Sequence, residues 1–145
     1  MTRSGTPTTG WVHARVDGYA RIEEVQPLQS LRAELAWSPE APRVARAVVR
    51  AWLEGVDRGG SRSSDLVLAA SELVTRAVNG CPAAPTLECS YGPDGVWIAV
   101  GSAPMLDTPL DDQRDLSEVV LEAICDRWGR VDEPLGTSLW ALVRA

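Results

Sequence analysis

The sequence predicts an α+β fold. It is a two-layer sandwich in which a mixed, mostly antiparallel sheet carries three main helices on one face. Three observations lead there. Three segments repeat apolar residues with helical spacing. Two pairs of short alternating segments are joined by tight turns, "GPDG" and "PLG". One alternating segment precedes the first helix. Adjacent hairpins interrupted by helices favour an antiparallel sheet covered on one side.

Residues 1–10 are almost all Thr, Ser, Gly and Pro, and read as a disordered tail. Residues 11–30 form an N-terminal extension, in which "WVHARV" alternates like a strand and "YARIEEV" has helical spacing. The domain proper runs from 31 to 145. In "SLRAELAW" (30–37), Leu31, Ala33 and Leu35 alternate with Arg32 and Glu34, a half-buried strand. "SPEAP" places a Ser before a Pro and opens the first helix. Along that helix Val44, Val48, Ala51, Trp52 and Val56 share a side, and Gly59-Gly60 ends the region.

The second helix, "SSDLVLAASELVTRAVNG", takes Ser63 or Ser64 as N-cap. Leu66, Ala70, Leu73, Val74 and Ala77 lie on one broad face. Asp65, Glu72, Thr75, Arg76 and Asn79 lie on the other. Gly80 and Pro82 end it. Strands over 86–91 and 96–102 follow, then the Pro- and Asp-rich loop "APMLDTPLDDQ". "LSEVVLEAICDRW" reads as a third helix, with Leu116, Val119, Val120, Ala123, Ile124 and Arg127 at helical spacing. "GRVDE" and "TSLWALVRA" close the chain as strands.

Composition narrows the chemistry. The 145-residue chain suits one domain. Its net charge of −6 lacks the basic footprint that nucleic acid or an anionic membrane requires. All fourteen basic residues are Arg, so no lysine is available for a P-loop or a Schiff base. A single histidine, His13, excludes multi-histidine metal sites. Cys81, Cys89 and Cys125 form no CxxC pair and read as reduced thiols of a cytoplasmic protein. No apolar run approaches a membrane span.

"SELVTRAV", "AICDRWG" and "GTSLWALV" together resemble the histidine-kinase-like (GHKL) ATPase domains of actinobacterial anti-sigma regulatory factors. The likeness runs from about residue 31 to 143. It implies the fold above, and a cytoplasmic regulator of transcription. Members of that family bind ATP with magnesium, usually dimerise, and hold a sigma factor inactive. They release it by binding, and phosphorylating on serine, an anti-sigma antagonist.

Carried over position by position, the family's site is degenerate here. Glu72 matches the acidic general base. Arg76 stands where the family has a magnesium-ligating asparagine. Ser102, or Gly101 in the alternative alignment, stands in place of the aspartate that reads adenine. No glycine lies between Gly101 and Gly129, where the family has a glycine-containing lid. Gly136, Thr137 and Ser138 lie near the family's phosphate contacts. Magnesium needs oxygen ligands, whereas arginine offers five donors and no acceptor.

The expectation is therefore a vestigial site with no metal and no cofactor. Glu72 is its former general base. Arg76, Asn79, Ser102, Gly136, Thr137 and Ser138 are the remains of a nucleotide pocket. Plainer roles stand beside these: Glu72 and Arg76 suit an i,i+4 ion pair, Asn79 a helix end, Ser102 a strand end, and Gly136 a turn. The function expected is a protein-binding, anti-sigma-like regulator. Its partner would be a sigma factor or an anti-sigma antagonist, with a homodimer possible in either case. Two alternatives stay open. One is an active ATP-dependent serine kinase using Arg76 in place of magnesium. The other is a structural or dimerisation module. Trp128 and Trp140 are expected in the core. Trp11 either contacts a partner or packs back on the domain.

Overall fold

The computed structural model describes residues 10–13, 20–25, 30–56, 62–105 and 116–144. The expected tail, the Gly59-Gly60 stop and the aspartates of "LDDQRD" lie outside these residues, apart from Gly10.

Strands β1 (Gly10–His13), β2 (Ala20–Val25) and β3 (Ser30–Leu35) lead into helices α1 (Ala41–Val56) and α2 (Ser63–Gly80). Then come β4 (Thr86–Gly92), β5 (Gly95–Ser102), α3 (Leu116–Ile124), β6 (Arg127–Glu133) and β7 (Gly136–Val143). One seven-stranded sheet takes the order β1-β2-β3-β4-β5-β7-β6. Every pairing among the described residues is antiparallel, so the sheet has no mixed part there. The fold is α+β, with three helices packed on the sheet, as expected.

The N-terminal extension contributes β1 and β2 to the same sheet. "YARIEEV" is a strand and not a helix: Ile22 pairs with Ala33, and Glu24 with Leu31. Six residues with an available strand edge gain a ladder of hydrogen bonds that an isolated short helix could not match. Trp11 stands across from Glu23.

The core lies between the sheet and the helices. Leu31, Ala33 and Leu35 of β3 are all buried, as their alternation predicts. Leu87, Ile98, Val100, Leu139 and Ala141 continue that surface across the sheet. On α1 the buried set is Ala41, Val44, Ala45, Val48, Val49, Trp52 and Leu53, while Ala51 is exposed. Ser38 opens this helix: its hydroxyl accepts the Glu40 N–H at 2.9 Å. On α2 the buried face is broader than expected, adding Val67, Ala69 and Ser71. Arg46 Nη1 donates to Ser71 Oγ at 3.0 Å and stitches α1 to α2. Full burial of a side chain such as Leu73 contributes about 2 kcal/mol.

Two helix ends differ from expectation. The N-cap of α2 is Arg62, and neither Ser63 nor Ser64 caps it. Arg62 is held instead by its own side chain. Nε donates to Asp65, Nη1 to the Arg144 carbonyl at 2.9 Å, and Nη2 to the Ile124 carbonyl at 2.8 Å. Helix α3 stops at Ile124, short of "CDRW". Asp126 N–H bonds the Leu142 carbonyl, and Arg127 pairs with Leu142 on β7. Strand pairing at the sheet edge wins over the helical spacing of Arg127.

The side of the sheet away from the helices carries the alternate residues. Trp97 and Trp140 meet there, with ring centroids 5.8 Å apart. Trp140 is therefore outside the main core, because its strand neighbours Leu139 and Ala141 occupy it. It lies against Gly129, where an added Cβ would come within 2.9 Å of the indole. Trp128 packs on the helix side, partly buried against the core.

Candidate functional site

All the candidate residues but Ser138 fall at two places on the helix-covered side of the sheet. The first is the polar face of α2. With Leu73, Val74 and Ala77 anchored in the core, the 3.6-residue period turns Glu72, Thr75, Arg76 and Asn79 away from it. Asn79 is exposed, while Glu72, Thr75 and Arg76 are half-buried. The Thr75 hydroxyl donates to the Ser71 carbonyl at 2.9 Å, a bond internal to the helix.

Arg76 turns toward α3 and β6. Its guanidinium carbon is 5.8 Å from the centroid of the Trp128 ring. Nη1 is 4.0 Å from Glu118 Oε2. The Trp128 indole N–H in turn donates to Glu122 Oε2 at 2.9 Å. A partly desolvated cation over a tryptophan contributes about 0.5–1 kcal/mol, and an ion pair of this length less than about 1 kcal/mol. The side chain is only 19% exposed, so these contacts hold the charge between α2, α3 and β6.

The second place is the end of the sheet where β5 leaves and β7 begins. Gly136 approaches Ser102 so closely that an added Cβ would stand 2.5 Å from the Ser102 carbonyl oxygen. Next to it Thr137 is buried. Its hydroxyl donates to Asp132 Oδ1 at 2.9 Å and accepts the Met105 N–H at 3.0 Å. Arg130 Nε grips the same carboxylate at 2.9 and 3.0 Å. The Thr137 hydroxyl and then the Arg130 guanidinium hold Asp132 below the usual carboxylate range. The Met105 side chain caps the arrangement over Gly80, where an added Cβ would fall 2.3 Å from its methyl carbon.

The triplet Gly136-Thr137-Ser138 is split by strand alternation. Thr137 faces the helices. Ser138, paired with Gly101 and Val131, faces the opposite side. The Ser102 hydroxyl donates to the Ala103 carbonyl at 2.8 Å. So Gly136, Thr137 and Ser102 come together with Gly80 and Met105, while Ser138 is directed elsewhere.

Met105, Asp132, Arg130, Glu118 and Trp128 escaped the sequence reading of this region. One signal was available. Once "EPLG" is read as the turn, the register sets Asp132 opposite Thr137. Met105 and Glu118 had none, since their placement follows from how α3 and the end of β5 pack.

These groups do not fit a magnesium-bridged nucleotide. The expected metal position carries a guanidinium lying on an indole. The buried Thr137 hydroxyl is engaged on both sides, and the Met105 amide is already bonded. No group of three His, Cys, Asp or Glu suited to a metal occurs among the described residues. Two of the three thiols are held protonated by their surroundings. Burial pushes Cys89 up to about 12, and Cys125 up to about 11.

The fold and site thus define a two-layer α+β protein with a side-chain-filled face at the end of its second helix. No family model matches the chain, and no curated protein matches it.

Proposed function

We propose that the protein is a cytoplasmic, protein-binding regulator of the anti-sigma type that works without nucleotide and without phosphoryl transfer. The placement of Arg76 carries this reading. Its cation, set between Glu118 and Trp128, lies on the face where the resembled ATPases hold magnesium. A second cation there would meet Coulombic repulsion of several kcal/mol at low effective dielectric. Met105, bonded to Thr137 and lying over Gly80, supports the same reading at the phosphate end.

Titration calorimetry with ATP and magnesium tests it. The expected result is no saturable heat up to millimolar nucleotide. A micromolar dissociation constant would overturn the proposal. No helix of the described residues is long and apolar enough to cross a membrane.

A further inference from the structure

Strand β6 closes one end of the sheet. It pairs with β7 on one side and with no strand of the described residues on the other. Its sequence, "RWGRVDE", begins with a base and ends with two acids. By their register with β7, Arg127, Gly129, Val131 and Glu133 stand on the face away from the helices. Arg127 and Glu133 are exposed, and neither has an ion-pair partner among the described residues. Val131 is 46% exposed between them. On the helix side, Arg130 Nε is bonded to Asp132 of its own strand at 2.9 and 3.0 Å, so that pair carries no net charge. A strand edge is a row of unused backbone donors and acceptors, which natural proteins often blunt with charges that repel a second strand. The charges of β6 are arranged the other way. Opposite signs at its two ends attract an antiparallel copy.

We infer that β6 pairs antiparallel with β6 of a second copy of the chain, about a two-fold axis at Arg130. A seven-residue strand that pairs with itself over its whole length has one register, centred on its fourth residue. That register sets Arg127 opposite the partner's Glu133, and Glu133 opposite the partner's Arg127. Between them Val131 falls opposite the partner's Gly129, which has no side chain to compete for the space and lies against the Trp140 indole. The open-face row therefore attracts at both ends and is apolar in the middle, the self-complementarity that a two-fold interface requires. On the helix side Trp128 falls opposite the partner's Asp132, and Arg130 opposite the partner's Arg130. Each of these arginines is balanced by its own Asp132 and lies diagonal to the other copy's. Moving the axis to Gly129 or to Val131 breaks both Arg127–Glu133 pairs. The other edge of the sheet, β1, has only four residues, "GWVH", and no acid. The inference stands apart from the regulatory reading, since it uses β6 alone.

The test is sedimentation equilibrium of the full chain from about 10 μM to about 1 mM, with amide hydrogen exchange at both ends of that range. Expected is a reversible monomer–dimer equilibrium that weakens with added salt, and protection in β6 that grows with concentration. Arg127→Glu alone sets acid against acid at both ends of the ladder, and Glu133→Arg alone sets base against base. Each should weaken the dimer about tenfold or more. An equimolar mixture of the two single variants puts an acid opposite a base at both ends again. It should dimerise about as well as the unaltered chain, and so should the double variant. Both positions are exposed, and circular dichroism checks that the fold is kept. A chain that stays monomeric over the whole range overturns the inference and leaves the edge of β6 to a strand of another protein. Single variants that dimerise as tightly as the unaltered chain, a mixture no tighter than its components, or protection confined to another surface would each overturn it as well.

Discussion

Two glycines of the candidate site look alike in sequence and differ in what a side chain would meet. At Gly136 an added Cβ would strike the Ser102 carbonyl, a backbone atom held in the β5–β7 ladder. Gly136→Ala is expected to lower stability by about 1–3 kcal/mol through overpacking. At Gly80 the obstacle is the methyl end of Met105, which can rotate away. Alanine is also the better helix former by about 1 kcal/mol. Gly80→Ala should be close to neutral, or stabilising. Urea denaturation of both variants checks the contrast, and equal losses would contradict it. The residue scale was only partly legible. That Thr75, Arg76 and Asn79 share a face followed from the helical period. That Arg76 lies on Trp128 did not, because Trp128 sits on a strand where helical spacing seemed to continue.

Elements begin and end here by competition between local signals and tertiary partners. Ser63 and Ser64 are good N-cap residues, yet Arg62 sets the start of α2 because its guanidinium ties Asp65, Ile124 and Arg144 together. Arg62→Met keeps length and removes all three bonds, leaving two carbonyls without this donor. A loss of about 1–3 kcal/mol is expected in urea, with amide exchange speeding up at the α2 N-terminus and the end of β7. A change confined to neither place would contradict the role assigned to Arg62. The same competition shortens α3, whose last predicted turn becomes the edge strand β6. Amphipathic periodicity located all three helices. It located most of the buried side of α1 and α2 and, on α3, Ile124 but not Leu121, while Leu116, Val119 and Ala123 of the same set are exposed.

At the scale of the molecule, β1 and β2 extend the sheet beyond the region that carries the family resemblance. They cover the edge of β3. Removing residues 1–29 would leave the main core residues in the chain but expose an unpaired strand edge. The shortened chain is expected to keep its helices and to form higher-mass species at concentrations where the full chain does not. Size-exclusion chromatography with circular dichroism checks this, and identical profiles would show that the first two strands are dispensable for solubility.

The sequence by itself determined the class of fold, the two hairpins, the three helices and the polar face of α2. Each of these rests on periods of two or 3.6 residues, which are local and survive without knowledge of neighbours. Tertiary structure alone decided that the extension joins the sheet, that Trp140 leaves the core for the open face, and that Met105 closes over Gly80. It also decided that Arg76 meets α3. The extension joins through strands at most 15 positions apart, but the others bring together residues 25 or more positions apart, as Met105 with Gly80, Trp97 with Trp140 and Arg76 with Glu118. A long side chain on a helix can reach several such partners, and only the packing of elements selects among them.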